Sequence, residues 1–171
     1  MRYKVREVLT RKDLKKFIGF PVRLYKGCSQ YVPPLFKGQE HELMHAASLK
    51  YCTRKMWLAE DEGGNVVGRI CAIINPRYNE KYGTRRVRFG WFDLVNDVEV
   101  GRILIGTAEK WAKEQGMHHF LAWWQCCTTN WACLPTSTKK RLTASAKLLK
   151  PIRLFAYLLI NPLWAKACLR K

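Results

Sequence analysis

Residues 91–106, WFDLVNDVEVGRILIG, change their hydrophobic period halfway along. Trp91 to Val95 reads as a strand, whereas from Val98 onward apolar residues recur every three or four positions, as on one face of a helix. Val100, Ile103, Leu104, Thr107, Ala108 and Trp111 would form that face. Asp97 suits the N-cap, because a short carboxylate can accept from the unpaired N–H groups of a first turn, and Gly116 suits the position just past the helix end. MHHFLAWW, residues 117–124, then reads as a further strand. Strand, helix and strand in succession predict a crossover that sets its two strands parallel or nearly so. The corner also has a chemistry of its own. Exposed N–H groups and the positive end of the helix dipole suit it to a phosphate.

The rest of the chain supplies strands of the other kind. KMWLAEDEGGNVVGRICAIIN, residues 55–75, is two apolar runs around DEGGN, and Gly63 and Gly64 would supply the positive φ of a hairpin turn. Met56 and Trp57 are expected in its core. Residues 3–10 alternate as a first strand. Residues 11–27 carry Leu14, Phe17, Ile18 and Leu24 at helical spacing, with Pro21 expected to kink or break the helix and Gly27 to end it. SQYVPPLF (29–36) should be extended at its prolines, and residues 38–51 predict a second helix with Leu43, Ala46, Ala47 and Leu49 for burial. PRYNEKYGT (76–84) reads as a polar loop, and residues 85–95 as a strand with Gly90 at a bulge or a close approach. The predicted fold class is α/β: a mixed, mostly antiparallel sheet with one strand–helix–strand crossover.

Composition narrows the partners. Among 171 residues, 31 Lys and Arg face 13 Asp and Glu, a net charge of +18, which implies an anionic partner such as nucleic acid, a phosphorylated cofactor or an acidic membrane surface. Every acidic residue lies at or before Glu114, and residues 115–171 hold nine basic residues and no acid. The seven cysteines (28, 52, 71, 126, 127, 133 and 168) form no CxxC pair, and the N-terminal MRYKVREVLTRKDLKKF holds no apolar run of secretory length. Free thiols and a cytoplasmic location are expected, with no metal. His118 and His119 are neighbours, so on a strand they would face opposite ways. Arg85, Arg86 and Arg88 flank one strand, either as an attraction for phosphates or as a solvated strand end.

LYKGCSQYVPPLF, GRICAIINPRYNEKYG, VRFGWFDLVND and AEKWAKEQGM together resemble the GNAT (Gcn5-related) acyl-CoA N-acyltransferases, and a bacterial subgroup of GNAT-like proteins in particular, over about residues 3–121. The resemblance implies acetyl-CoA or another acyl-CoA as co-substrate and an amine as acceptor. It places Phe92, Leu94 and Val95 along the pantetheine arm, Val100, Gly101 and Arg102 at the diphosphate, and Asp93 as the base that deprotonates the amine. The family's phosphate loop, (Gln/Arg)-x-x-Gly-x-(Gly/Ala), falls on NDVEVG: Asn96 stands for the first residue, Glu99 for the first glycine, and Gly101 matches. Asp97 and Glu99 would repel a diphosphate that the helix start attracts, and the same two acids suit a helix start with no ligand. The tyrosine that protonates the leaving thiolate in the family has no counterpart within the matched part, and Tyr157 is the lone Tyr beyond residue 82.

Residues 1–124 therefore read as a GNAT-like part and 125–171 as a basic, acid-free tail, with the sheet incomplete at the C-terminus. Three readings of the tail stand side by side. It is an out-of-frame extension of a truncated acyltransferase, a membrane-surface helix over residues 152–169, or a basic nucleic-acid arm with Trp123, Trp124 and Trp131 for stacking. Nucleic acid ranks last, and an uncovered sheet edge would favour a homodimer. The function implied is acetyl transfer to an amine. The alternative is a non-catalytic basic protein on anionic membrane or nucleic acid.

Overall fold

The computed structural model describes residues 2–28 and 31–122, and the tail readings, Tyr157 and Cys126, Cys127, Cys133 and Cys168 lie outside the described residues. A five-stranded sheet runs in the order β1 (Tyr3–Glu7), β2 (Thr53–Asp61), β3 (Val66–Ile74), β4 (Arg86–Leu94) and β5 (His119–Ala122). The first four are antiparallel neighbours, and β5 joins β4 in parallel, as a crossover requires.

Helix α4 (Val98–Glu114) is that crossover and covers one face of the sheet. Helices α1 (Arg11–Leu24) and α2 (Phe36–His45) cover the other. The sheet is thus buried on both sides, and its strands alternate accordingly. In β2, Trp57 and Ala59 pack toward α4, while Met56 and Leu58 pack toward α1. Trp57 meets Trp111 of α4 edge to face at 5.7 Å between ring centres. Gly68 of β3 lets α4 approach: a Cβ there would lie 2.8 Å from both Leu104 Cδ1 and Val100 Cγ1.

Five expectations are corrected. Pro21 does not break α1, which continues to Leu24. Pro21 lacks the N–H that would bond the Phe17 carbonyl, and the Arg69 guanidinium takes that carbonyl instead at 2.7 Å. The second helix begins at Phe36 and ends at His45, followed by a 3₁₀ turn at Ala47–Lys50. Of the four residues expected to bury there, Leu43 is buried and Ala47 is exposed. The supposed loop after Asn75 contains a helix, α3 (Pro76–Lys81). Asn75 caps it by accepting from the Tyr78 N–H, and Pro76 sits where a missing N–H costs nothing. In the hairpin turn, only Gly64 adopts positive φ. The bulge in β4 falls at Trp91 and Phe92, which together oppose Ile70, and not at Gly90 itself.

Candidate active site at the β4–α4 corner

The corner begins with strain. Trp91 has φ +47°, the left-handed region, although its side chain is bulky and buried. Such a conformation is disfavoured for a bulky residue and persists only where its surroundings enforce it. The described part of the β4–β5 ladder runs from Arg86 opposite His119 to Phe89 opposite Ala122, the last described residue, and β4 itself runs to Leu94. The Val95 N–H donates to the Val67 carbonyl on the β3 side. Strand alternation therefore turns the backbone of Leu94, and of Phe92 before it, to the side of β4 away from β3.

Asp93 lies under this bulge, 2% exposed. Its Oδ2 accepts from Arg69 Nε at 2.7 Å and from the second guanidinium arm at 2.7 Å, and its Oδ1 accepts from the Tyr25 hydroxyl at 2.9 Å. Arg69 is equally buried and also lies over the Phe17 ring at 4.9 Å. The network ties β3, β4 and α1 together. Arg69 and Tyr25 were not singled out from sequence. The available signal was a lone Arg inside the apolar run VVGRICAII, because a charge on a strand buried on both faces requires a partner.

The helix start is occupied by the chain itself. Asp97 caps α4, its Oδ1 accepting from the Glu99 N–H at 2.8 Å and its Oδ2 from the Tyr3 hydroxyl at 2.7 Å. The Tyr3 hydroxyl first, and the Glu99 N–H second, hold the Asp97 carboxyl below its usual range, and that same hydrogen bond pushes the Tyr3 phenol up. Of the residues expected at the diphosphate, Val100 and Gly101 are buried and Arg102 is exposed. Glu99 is exposed as well. The arginines of β4 lie elsewhere. Arg86 begins the strand that ends at Leu94, about 26 Å away at ~3.3 Å per residue. There Arg88 stacks over Tyr78, and Arg85 approaches exposed His118. Among the described residues, no three His, Cys, Asp or Glu side chains gather closely enough to hold a metal.

A mostly antiparallel sheet with a bulged fourth strand feeding a helix and a parallel fifth strand is the GNAT acetyltransferase fold. Solved structures share it. An acetyltransferase of the GNAT family from Staphylococcus aureus superposes with TM-score 0.56 at 13% identity, covering 86% of this chain and 81% of that one. Glucosamine-6-phosphate N-acetyltransferase from Arabidopsis thaliana superposes with TM-score 0.53 at 12% identity, covering 92% and 99%. A tandem GNAT protein from the clavulanic acid biosynthesis pathway gives TM-score 0.53 at 15% identity, over 66% of this chain and 34% of that one. In sequence, the chain is 38% identical over 113 residues to protein YghO of Escherichia coli and 31% identical over 117 residues to the bacterial ceramide synthase of Caulobacter vibrioides. Each match uses 66% of this chain but spans 29% and 30%, respectively, of the relative's length. No family model matches.

Proposed function

We propose that the chain acts in acyl-CoA-dependent N-acyl transfer, moving an acyl group, acetyl in the simplest case, from the CoA thioester to an amine. The observation that carries the proposal is the bulged β4 backbone at Phe92 and Leu94, turned to the side away from β3 and leading directly into a helix start. An extended pantetheine arm would lie along β4 as an added strand, bonded by those two residues and guided by Val95. The diphosphate would rest at Val100, Gly101 and Arg102, with the Arg102 guanidinium as its counter-charge. The amine nitrogen attacks the thioester carbon. The C–N bond forms, the C–S bond breaks, sulfur leaves as a thiolate that takes up a proton, and the nitrogen gives one up.

Asp93 enters this proposal as the anchor of the corner and not as the proton acceptor. The Arg69 guanidinium and the Tyr25 hydroxyl take three of the about four acceptor sites of this carboxylate. The named relative supports amide formation, since a ceramide is the amide of a fatty acid with a long-chain amine.

Asp97 weakens a diphosphate site without abolishing it. Asp97→Asn keeps an N-cap side chain and removes the charge, so it should tighten acyl-CoA binding about threefold, as expected for one charge near a helix start. Thermal denaturation with acetyl-CoA and with a long-chain acyl-CoA tests both statements, because a ligand of the native state raises the midpoint. A rise with either thioester, larger for Asp97→Asn, is expected. A non-catalytic basic protein would show no rise at millimolar acyl-CoA in either form, and that result overturns the proposal.

A further inference from the structure

Six large apolar side chains are well exposed among the described residues, and five of them, Leu9, Val32, Leu35, Phe36 and Met44, fall within the first 44 residues, around α1 and α2. Single exposed apolar residues are ordinary. Val32 and Leu35 are less so, at 83% and 84% exposure within VPPLF, a loop that ends in the first residue of α2. The loop is fastened at both ends. Tyr31 packs on buried Tyr25 at 4.8 Å between ring centres, and the Phe36 ring lies 3.5 Å from where a Gly19 Cβ would stand on α1. Between the fastenings Pro33 and Pro34 fix φ and offer no N–H to desolvate. The loop thus presents two aliphatic tips at little cost in backbone polarity or ordering.

Charge surrounds it. Lys15, Gly19 and Arg23 are spaced four apart, so they share the α1 stripe on which Phe36 rests. Residues 9–37 hold seven basic residues against one acid, Asp13, and Asp13 is already paired with Arg6 at 2.6 Å. Lys12, Lys15, Arg23, Lys26 and Lys37 are exposed, and none of them forms an ion pair among the described residues. Protruding aliphatic tips within a basic field match the interfacial zone of an anionic bilayer. There, side chains enter between head groups while lysines and arginines meet phosphate. A protein partner would ask instead for a continuous apolar patch with few charges at its centre. No helix among the described residues is long and apolar enough to cross a membrane.

We infer that the VPPLF loop and the Lys15–Arg23 stripe form a docking surface for an anionic lipid bilayer, independently of any acyl transfer at the β4–α4 corner. The test is flotation of the full chain with vesicles of phosphatidylcholine alone and with about one third phosphatidylglycerol. Because every variant keeps the same basic tail, differences between variants report on the loop. Val32→Ser with Leu35→Ser should lower partition onto the anionic vesicles about tenfold, with no change in melting temperature, since both side chains are already in solvent. Lys15→Glu with Arg23→Glu should lower it at least as much, and added salt should weaken the wild type. Equal binding to neutral and anionic vesicles overturns the inference. So does undiminished binding of the serine variant, which would assign the affinity to the tail. A wild type that dimerises through this loop without binding vesicles overturns it too.

Discussion

Arg69 shows how one residue can answer two deficits. Pro21 strips the Phe17 carbonyl of its helical donor, and Asp93 is a carboxylate far from water; the one guanidinium bonds both. Removing it leaves a buried charge and a buried carbonyl without that partner, so Arg69→Met should destabilise by about 3–5 kcal/mol, read from urea unfolding. A loss under 1 kcal/mol would mean the pair is not buried as described. Gly68 is the steric counterpart. A methyl group there would press on Leu104 and Val100 at 2.8 Å, with the Leu94 Cβ at 3.3 Å, so neither the helix nor the strand could yield alone. Gly68→Ala should cost about 1–3 kcal/mol by overpacking and lower the melting temperature.

At the level of elements, α1 is fixed at its start by a reciprocal cap. Thr10 accepts from the Asp13 N–H at 3.1 Å, and Asp13 accepts from the Thr10 N–H at 3.2 Å and its hydroxyl at 2.7 Å. The Thr10 hydroxyl first, with the Arg6 guanidinium and the Thr10 N–H behind it, holds the Asp13 carboxyl at about 2, below the ordinary 3.8. A carboxyl depressed by folding stabilises the native state above its unfolded pKa, and that contribution disappears as pH falls through its folded one. The melting temperature should therefore drop between about pH 4 and pH 2, and Asp13→Asn should show a shallower drop in the same window. An equal drop in both proteins would assign the acid sensitivity to other carboxyls. Thr10→Ala should cost about 1 kcal/mol. The start of α4 was as legible in the sequence as this cap is in the structure, because Asp97 and the helical period are neighbours in the chain. Helix α3 was not. Six residues are too few to display a period, and its signal lay in the Asn75–Pro76 pair alone. The bonds that anchor Asp93 were not legible either, because Arg69 and Tyr25 lie 24 and 68 residues away and no local pattern announces a contact of that span.

Across the whole molecule, the strands follow one another in the sheet as they do in the chain. The hairpin and the crossover were readable beforehand, since each rests on local periodicity. The left-handed twist at Trp91 was not, because nothing about a tryptophan invites that conformation. Strand order equal to chain order also bears on how the molecule assembles. β2, β3 and β4 form a meander closed by a tight hairpin turn and the one-helix α3 connection, whereas among the described residues β1 and β5 join it only across α1, α2 and α4 on opposite faces. Amide exchange should accordingly be slowest in β3 and fastest in the two outer strands. A ribosome releasing this chain would expose the central hairpin before the crossover exists, so the parallel strand that follows α4 must dock onto a platform already in place.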